Sequence, residues 1–197
     1  VDDILIVPSW EEIKEEDKDK MILHIDPGTA FGTGMHETTQ LVIRQLKKYV
    51  KPGIALLDVG TGSGILGITA LKLGAGHVVG TDLDPCAVPA VQDNKEANQI
   101  VDDTFDMMIG NIIDDKEVQD QVGYEKYDIV AANILADVLV PLTPVIVHQM
   151  KKGAYYITSG ILDVKEEVVK EAVQKAGLTL VEVTRQGEWV CVTARKD

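Results

Sequence analysis

Cysteine is nearly missing from this chain. Only Cys86 and Cys191 occur in 197 residues. Two are too few for a disulfide framework, and no C-x-x-C pair suggests zinc, so no metal site is expected. Such usage suits a reducing cytoplasm, which is the expected location. No apolar run is long enough to span a bilayer and no signal peptide is visible, so no membrane role is expected. Positive charge is also short: 19 Lys and Arg stand against 32 Asp and Glu, a formal charge of −13. That balance argues against a generic nucleic-acid surface and would attract a basic partner. No internal repeat or low-complexity tract interrupts the sequence. A start at Val1 rather than methionine leaves room for a preceding segment. What remains fits one α/β domain with a sizeable core.

The densest chemical signal is Asp58-Val59-Gly60-Thr61-Gly62-Ser63-Gly64. It follows an apolar run at 54–57 that reads as a buried strand, and it leads into helical apolar spacing at 65–73. Strand, tight glycine turn and helix together open a nucleotide-binding βαβ unit. Glycines permit close ligand approach, and a helix start offers free N–H groups. Asp82 ends a second apolar run at 77–81. An acid there can accept hydrogen bonds from both ribose hydroxyls of an adenosine.

Two cofactor classes share this layout. Gly62, Gly64 and Gly67 supply the G-x-G-x-x-G spacing of a dinucleotide enzyme. Asp58, Gly60, Gly62 and Gly64 supply the D-x-G-x-G-x-G spacing of an S-adenosylmethionine enzyme. The acid before the first glycine favours the methyl donor, because it can sit near a cationic amino-acid end and would repel a diphosphate.

The remaining chain alternates strands and helices. Strands are expected at 4–7 and 21–25, with a charged loop at 11–20 between them. A helix is expected at 38–49, ended by Lys51-Pro52-Gly53. The core units follow as strand 55–59, helix 64–73, strand 77–82, helix 85–98 and strand 104–109. Residues 114–123 read as a polar connection, and 127–132 as a buried strand. A helix at 135–150 carries Pro141 and Pro144, which demand an irregular first half. Strand 154–159, helix 164–176 and a hairpin of 178–185 with 188–195 across Gln186-Gly187 close the chain. This order implies a mostly parallel sheet with helices on both faces and an antiparallel edge. That ending resembles the S-adenosylmethionine-dependent methyltransferase fold.

Asn133 follows the strand at 127–132, so it should stand at the carboxyl edge where ligands bind. Its position resembles that of the asparagine in the N/D-P-P-Y motif of nitrogen methyltransferases, although those prolines and the tyrosine are absent. Helix capping is the alternative role. Upstream, Asp26-Pro27-Gly28-Thr29-Ala30-Phe31-Gly32-Thr33-Gly34-Met35-His36-Glu37-Thr38-Thr39 concentrates special residues before a helix. This segment resembles the signature of the ribosomal protein methyltransferases that act on large-subunit protein eleven. The likeness extends through 58–64, 80–85, Asp93-Asn94, 133–136, 159–162 and Gly187-Glu188-Trp189. Met35 and Glu37 depart from the usual threonine and proline.

The resemblance implies a Rossmann-like methyltransferase fold. Residues 1–50 would form linker strands, a cofactor-closing loop and a helix, and residues 51–197 the methyltransferase domain. It implies methyl transfer from S-adenosylmethionine to lysine and amino-terminal amines of the ribosomal protein. The amino-terminal domain that grips this substrate in the family has no counterpart here. Gly60 and Gly62 would admit the cofactor, Asp82 would hold its ribose, and Thr39 and Phe31 would close it from the other side. Asn133 would touch the cofactor and orient the acceptor nitrogen. His36 reads as structural, and Trp10 and Trp189 as core or edge packing. A methyltransferase of another substrate remains open. So does a dinucleotide oxidoreductase, for which no tyrosine–lysine pair is visible.

Overall fold

The computed structural model describes residues 1–26 and 36–197. Phe31 lies outside them. Two short strands, β1 (Ile4–Val7) and β2 (Met21–His24), pair in parallel with Ile4 opposite Met21. The main sheet has seven strands: β3 (Ala55–Val59), β4 (His77–Asp82), β5 (Phe105–Ile109), β6 (Tyr127–Asn133), β7 (Met150–Leu162), β8 (Thr179–Gln186) and β9 (Trp189–Arg195). Their order is β5-β4-β3-β6-β7-β9-β8. The first five run parallel, and β9 runs antiparallel to both β7 and β8. The expected mostly parallel sheet with a closing hairpin is therefore present.

The helices are α1 (Glu37–Tyr49), α2 (Ile65–Lys72), α3 (Ala87–Ala97), α4 (Lys116–Val122), α5 (Ala136–Ile146) and α6 (Glu166–Lys175). Strands between two helical layers must bury both faces, which is why β3 and β6 are nearly continuous apolar runs. Alternate residues serve opposite layers. Leu57, Val59 and Val130 pack with Leu139 and Leu142 of α5 and Val169 of α6. Leu56 and Ile129 pack with Leu41 and Leu46 of α1 and Ile68 of α2.

Three expectations need correction. The stretch 114–123 contains a helix: α4 is capped by Asp115, whose side chain accepts from the N–H groups of Glu117 and Val118. Val118 and Val122, one turn apart, are its buried residues. The helix after β6 ends at Ile146, short of 150, and is continuous across both prolines. Pro141 and Pro144 lie on its exposed side, so the carbonyls they leave without an intrahelical donor can meet water. Strand β7 is 13 residues long and spans well beyond 154–159, with a register shift between Thr158 and Ile161.

Successive strands run outward from β3 to β5, and the chain then returns to place β6 on the other side of β3. The carboxyl ends of β3 and β6 thus form the topological switch point, from which the chain leaves toward opposite faces of the sheet.

Candidate functional site

The glycine turn starts where β3 ends. The N–H groups of Gly60 and Thr61 both donate to Thr81 O, at 2.8 and 3.0 Å, so the turn folds over the end of β4. Gly60 has φ +74°, and a Cβ there would stand 2.7 Å from Ile134 Cγ2. Gly160, at φ +82°, meets the same segment: its Cβ would fall 2.5 Å from Ile134 O. Both glycines let their strands close on the residue after Asn133, which places that asparagine.

Asp82 ends β4 beside the turn. Its Oδ2 accepts from Gly62 N–H at 2.9 Å and its Oδ1 from Asp84 N–H at 2.9 Å. Two backbone donors therefore fix this carboxylate, while each oxygen keeps a further lone pair for a ligand.

Asp58 does not stand where the sequence pattern suggests. It is 1% exposed and lies beneath the turn, outside the cavity lining. Strand alternation explains this, since Asp58 shares the face of Leu56, on the α2 side. Thr61 Oγ1 donates to its Oδ2 at 2.7 Å, and its Oδ1 has no partner. Burial pushes the carboxyl up to about 7; the Thr61 hydroxyl opposes the rise and the nearby charge of Asp82 adds to it.

These elements surround a cavity of about 690 Å³ at the switch point. Gly60, Gly62 and Asp82 line one part of it, Asn133 to Leu135 another, and the 110–113 loop after β5 a third. Asn133 Nδ2–H donates to Thr39 Oγ1 at 3.3 Å, joining two expected site residues across 94 positions. Thr39 is buried, and its neighbour Thr38 faces the cavity. The expected capping alternative for Asn133 is not what is seen: Leu135 is the N-cap of α5.

His36 caps α1, its Nδ1 accepting from Thr38 N–H at 3.2 Å, and its ring also borders the cavity. The ring meets Trp189 edge-on, with centroids 5.1 Å apart. Trp189 was expected to pack only in the core or at an edge, yet it lines the cavity. Pairing of Leu162 with Trp189 carries the hairpin tip to this edge of the sheet. Trp10 is 69% exposed, so it is not a core residue.

Sequence reasoning also missed the role of Asn94. Its Nδ2 donates to Ser63 O at 2.8 Å and its Oδ1 accepts from Asp26 N–H at 3.1 Å. One buried amide thus ties the glycine turn to the end of the β2 segment. Asn98, one turn on, grips His24 through both its N–H and its C=O. The only signal was the Asp93-Asn94 pair in a helix that otherwise reads as amphipathic.

The described lining residues include the acids Asp82 and Asp84 and no lysine or arginine. Such a cavity favours a cationic ligand over a diphosphate. Among the described residues no group of three or more His, Cys, Asp or Glu could hold a metal ion. No helix among them is long and apolar enough to cross a membrane.

Comparison with known proteins gives a consistent result. The sequence model of the family described as "Ribosomal protein L11 methyltransferase (PrmA)" matches residues 1–197. A ribosomal protein L11 methyltransferase of Agathobacter rectalis is 56% identical over 199 residues, covering 100% of this chain and 62% of that protein. One from Lachnospira eligens is 57% identical over 197 residues, again covering 100% and 62%. The chain therefore spans 62% of the length of these relatives. The crystal structure of a ribosomal protein L11 methylase from Lactobacillus delbrueckii subsp. bulgaricus superposes with a TM-score of 0.85 at 31% identity, covering 98% of this chain and 94% of that one. A SAM-dependent methyltransferase from Aquifex aeolicus, 16% identical with a TM-score of 0.63, covers 77% of this chain and 87% of its own and shares the fold.

Proposed function

The chain belongs to the ribosomal protein L11 methyltransferase family, and on that premise we propose that it carries the unit that moves a methyl group from S-adenosylmethionine to lysine and amino-terminal amines of ribosomal protein L11. The observation that carries this reading is Asn133 on the wall of the switch-point cavity, bonded from behind to the buried Thr39.

The residues present fit the cofactor. A cavity of about 690 Å³ suits a ligand of nucleoside size. Its acids suit a positive charge, and the lone pairs left on Asp82 suit two ribose hydroxyls. S-adenosylmethionine supplies a methyl group already activated on a cationic sulfur. Gly60 and Gly62 would admit its amino-acid end, and Phe31, from the glycine-rich segment, would close on it from the other side.

Asn133 has its Nδ2 engaged by Thr39, so its carbonyl oxygen is the group free to accept from an amine N–H. Held that way, a neutral amine aims its lone pair into the cavity. Thr39 sets the amide's direction and cannot itself touch the acceptor. The acceptor gives its proton to water, and no strong base is required. Rate comes mainly from proximity and orientation in a space that Ile134, Leu135 and Trp189 keep apolar. Free cysteines and the lack of a membrane-crossing helix among the described residues suit work in the cytoplasm. The acceptor is the protein rather than nucleic acid.

Calorimetry with S-adenosylmethionine and with NAD tests the cofactor, and mass spectrometry of ribosomal protein L11 after incubation tests the transfer. Binding of NAD without S-adenosylmethionine, or methyl groups found only on a different acceptor, would overturn the reading.

A further inference from the structure

Four large apolar side chains stand exposed, two on the cavity wall and two on the segment that joins β7 to α6. Leu135 is 68% exposed and Val138 39%, both at the start of α5 and both on the cavity wall. Leu162 is 37% exposed and Val164 81%, at the end of β7 and in the turn before α6. Single exposed apolar residues are ordinary. These four are not scattered. Asp137 of α5 pairs with Lys165 at 3.6 Å, which sets the α5 start against the turn carrying Val164. Leu162 lies opposite Trp189, itself a cavity residue, and Asp163 N–H donates to Glu188 O at 2.9 Å. Three elements therefore form one apolar shelf that runs into the cavity.

The charge around the shelf is acidic. Asp137 is matched by Lys165, which leaves the exposed Asp163 and Glu188 to set its sign. Arg185 of the hairpin is committed to Glu166. A second copy of this chain, also at −13, would bring like charge to this rim. A basic partner gains from it.

Resting on the methyl-transfer reading above, we propose that this shelf docks a basic stretch of the protein acceptor, with an apolar side chain on the shelf, lysines or arginines against Asp163 and Glu188, and the acceptor amine led to Asn133. The shelf explains how an apolar cavity receives one amine among many. Only an amine next to a fitting apolar residue is carried to the asparagine.

The test uses two paired variants of this chain, Leu162→Ser with Val164→Ser, and Asp163→Lys with Glu188→Lys. All four residues are exposed, so donor affinity by calorimetry and the melting temperature should not change. Acceptor affinity is read by titrating fluorescently labelled ribosomal protein L11, and methyl transfer separately by mass spectrometry. The serine pair should weaken acceptor binding by roughly fivefold or more, the loss of an interface anchor. The lysine pair should weaken it most at low salt, with the difference shrinking as salt rises. Unchanged acceptor affinity in both pairs would overturn the proposal. So would a version extended upstream of Val1 in which the serine pair lowers the melting temperature and leaves acceptor affinity alone, because the shelf would then pack against its own polypeptide. An acceptor that binds at the shelf but gains no methyl would count against the methyl-transfer reading and support this one.

Discussion

Replacing Asp58 with asparagine should make the protein's stability less sensitive to pH, in a direction opposite to most carboxylates. Asp58 is wholly buried, one of its oxygens has no partner, and its carboxyl is raised from 3.8 to about 7. At about 1.4 kcal/mol per pH unit, that rise corresponds to about 4 kcal/mol. The sign follows from which state holds the proton. Unfolded Asp58 loses its proton near pH 3.8, while the folded protein keeps it until about pH 7. The protonated side chain therefore imposes no charge penalty below pH 3.8, and stability is lost progressively as pH rises to about 7. The asparagine of the variant mimics the neutral form and cannot titrate. Urea unfolding of both proteins at steps from pH 4 to pH 8 isolates Asp58 together with its coupling to Asp82, because groups remote from Asp58 titrate alike in the two. The two proteins should be similar near pH 4. The Asp58→Asn variant should then gain on its parent by up to about 4 kcal/mol by pH 8, most of it below pH 7. A difference that stays constant across the range would refute a buried, proton-holding Asp58.

Asp82→Ala should weaken S-adenosylmethionine binding by about 1–3 kcal/mol in calorimetry, since it would remove the proposed ribose acceptor and the bond from Gly62 N–H; unchanged affinity would remove Asp82 from the site. Asn133→Ala should lower the single-turnover methylation rate roughly a hundredfold, the cost of losing acceptor orientation, with donor affinity little changed. A loss confined to donor affinity would reassign that residue to cofactor binding alone. Asn94→Ala removes the amide's bonds to Ser63 O and from Asp26 N–H. It should destabilise the fold by about 1–3 kcal/mol in denaturant unfolding, and a neutral result would show that water replaces both bonds.

The parallel sheet was legible because its strands are buried on both faces and read as short apolar runs between glycine turns. The closing hairpin was legible from alternation on both sides of Gly187. Helix α4 was not, because only Val118 and Val122 among its seven residues are apolar, and the rest look like a solvated loop. At the site, residues adjacent in sequence were legible and partners distant in sequence were not. Gly60, Gly62 and Asp82 were assigned to one place from their spacing, and the cavity lining brings them together. The bond from Asn133 to Thr39 and the tie from Asn94 to Asp26 depend on α1, α3 and β2 meeting the sheet edge, which no local pattern encodes. Phe31 lies outside the described residues, so its place rests on the sequence alone. Asp58 was misplaced for a simpler reason. Its position beside the turn is fixed by sequence, but its direction is fixed by strand alternation, which sends it beneath the turn.

That inward direction bears on how the glycine turn works. A carboxylate at Asp58 pointing into the cavity would place three acids, with Asp82 and Asp84, around one ligand. Each would raise the cost of ionising the others. Beneath the turn, Asp58 instead accepts from Thr61 Oγ1, while Thr61 N–H holds Thr81 O and Gly62 N–H holds Asp82. The turn is thereby tied to β3 through one carboxylate and to β4 through another. The cavity then keeps two acids, Asp82 and Asp84, in place of three, and the turn is held from both sides. The proton retained by Asp58 near neutral pH limits the repulsion between Asp58 and Asp82. On this argument the acid that opens the motif acts mainly on the geometry of the turn, and the ligand meets its effect through the fixed positions of Gly60 and Gly62.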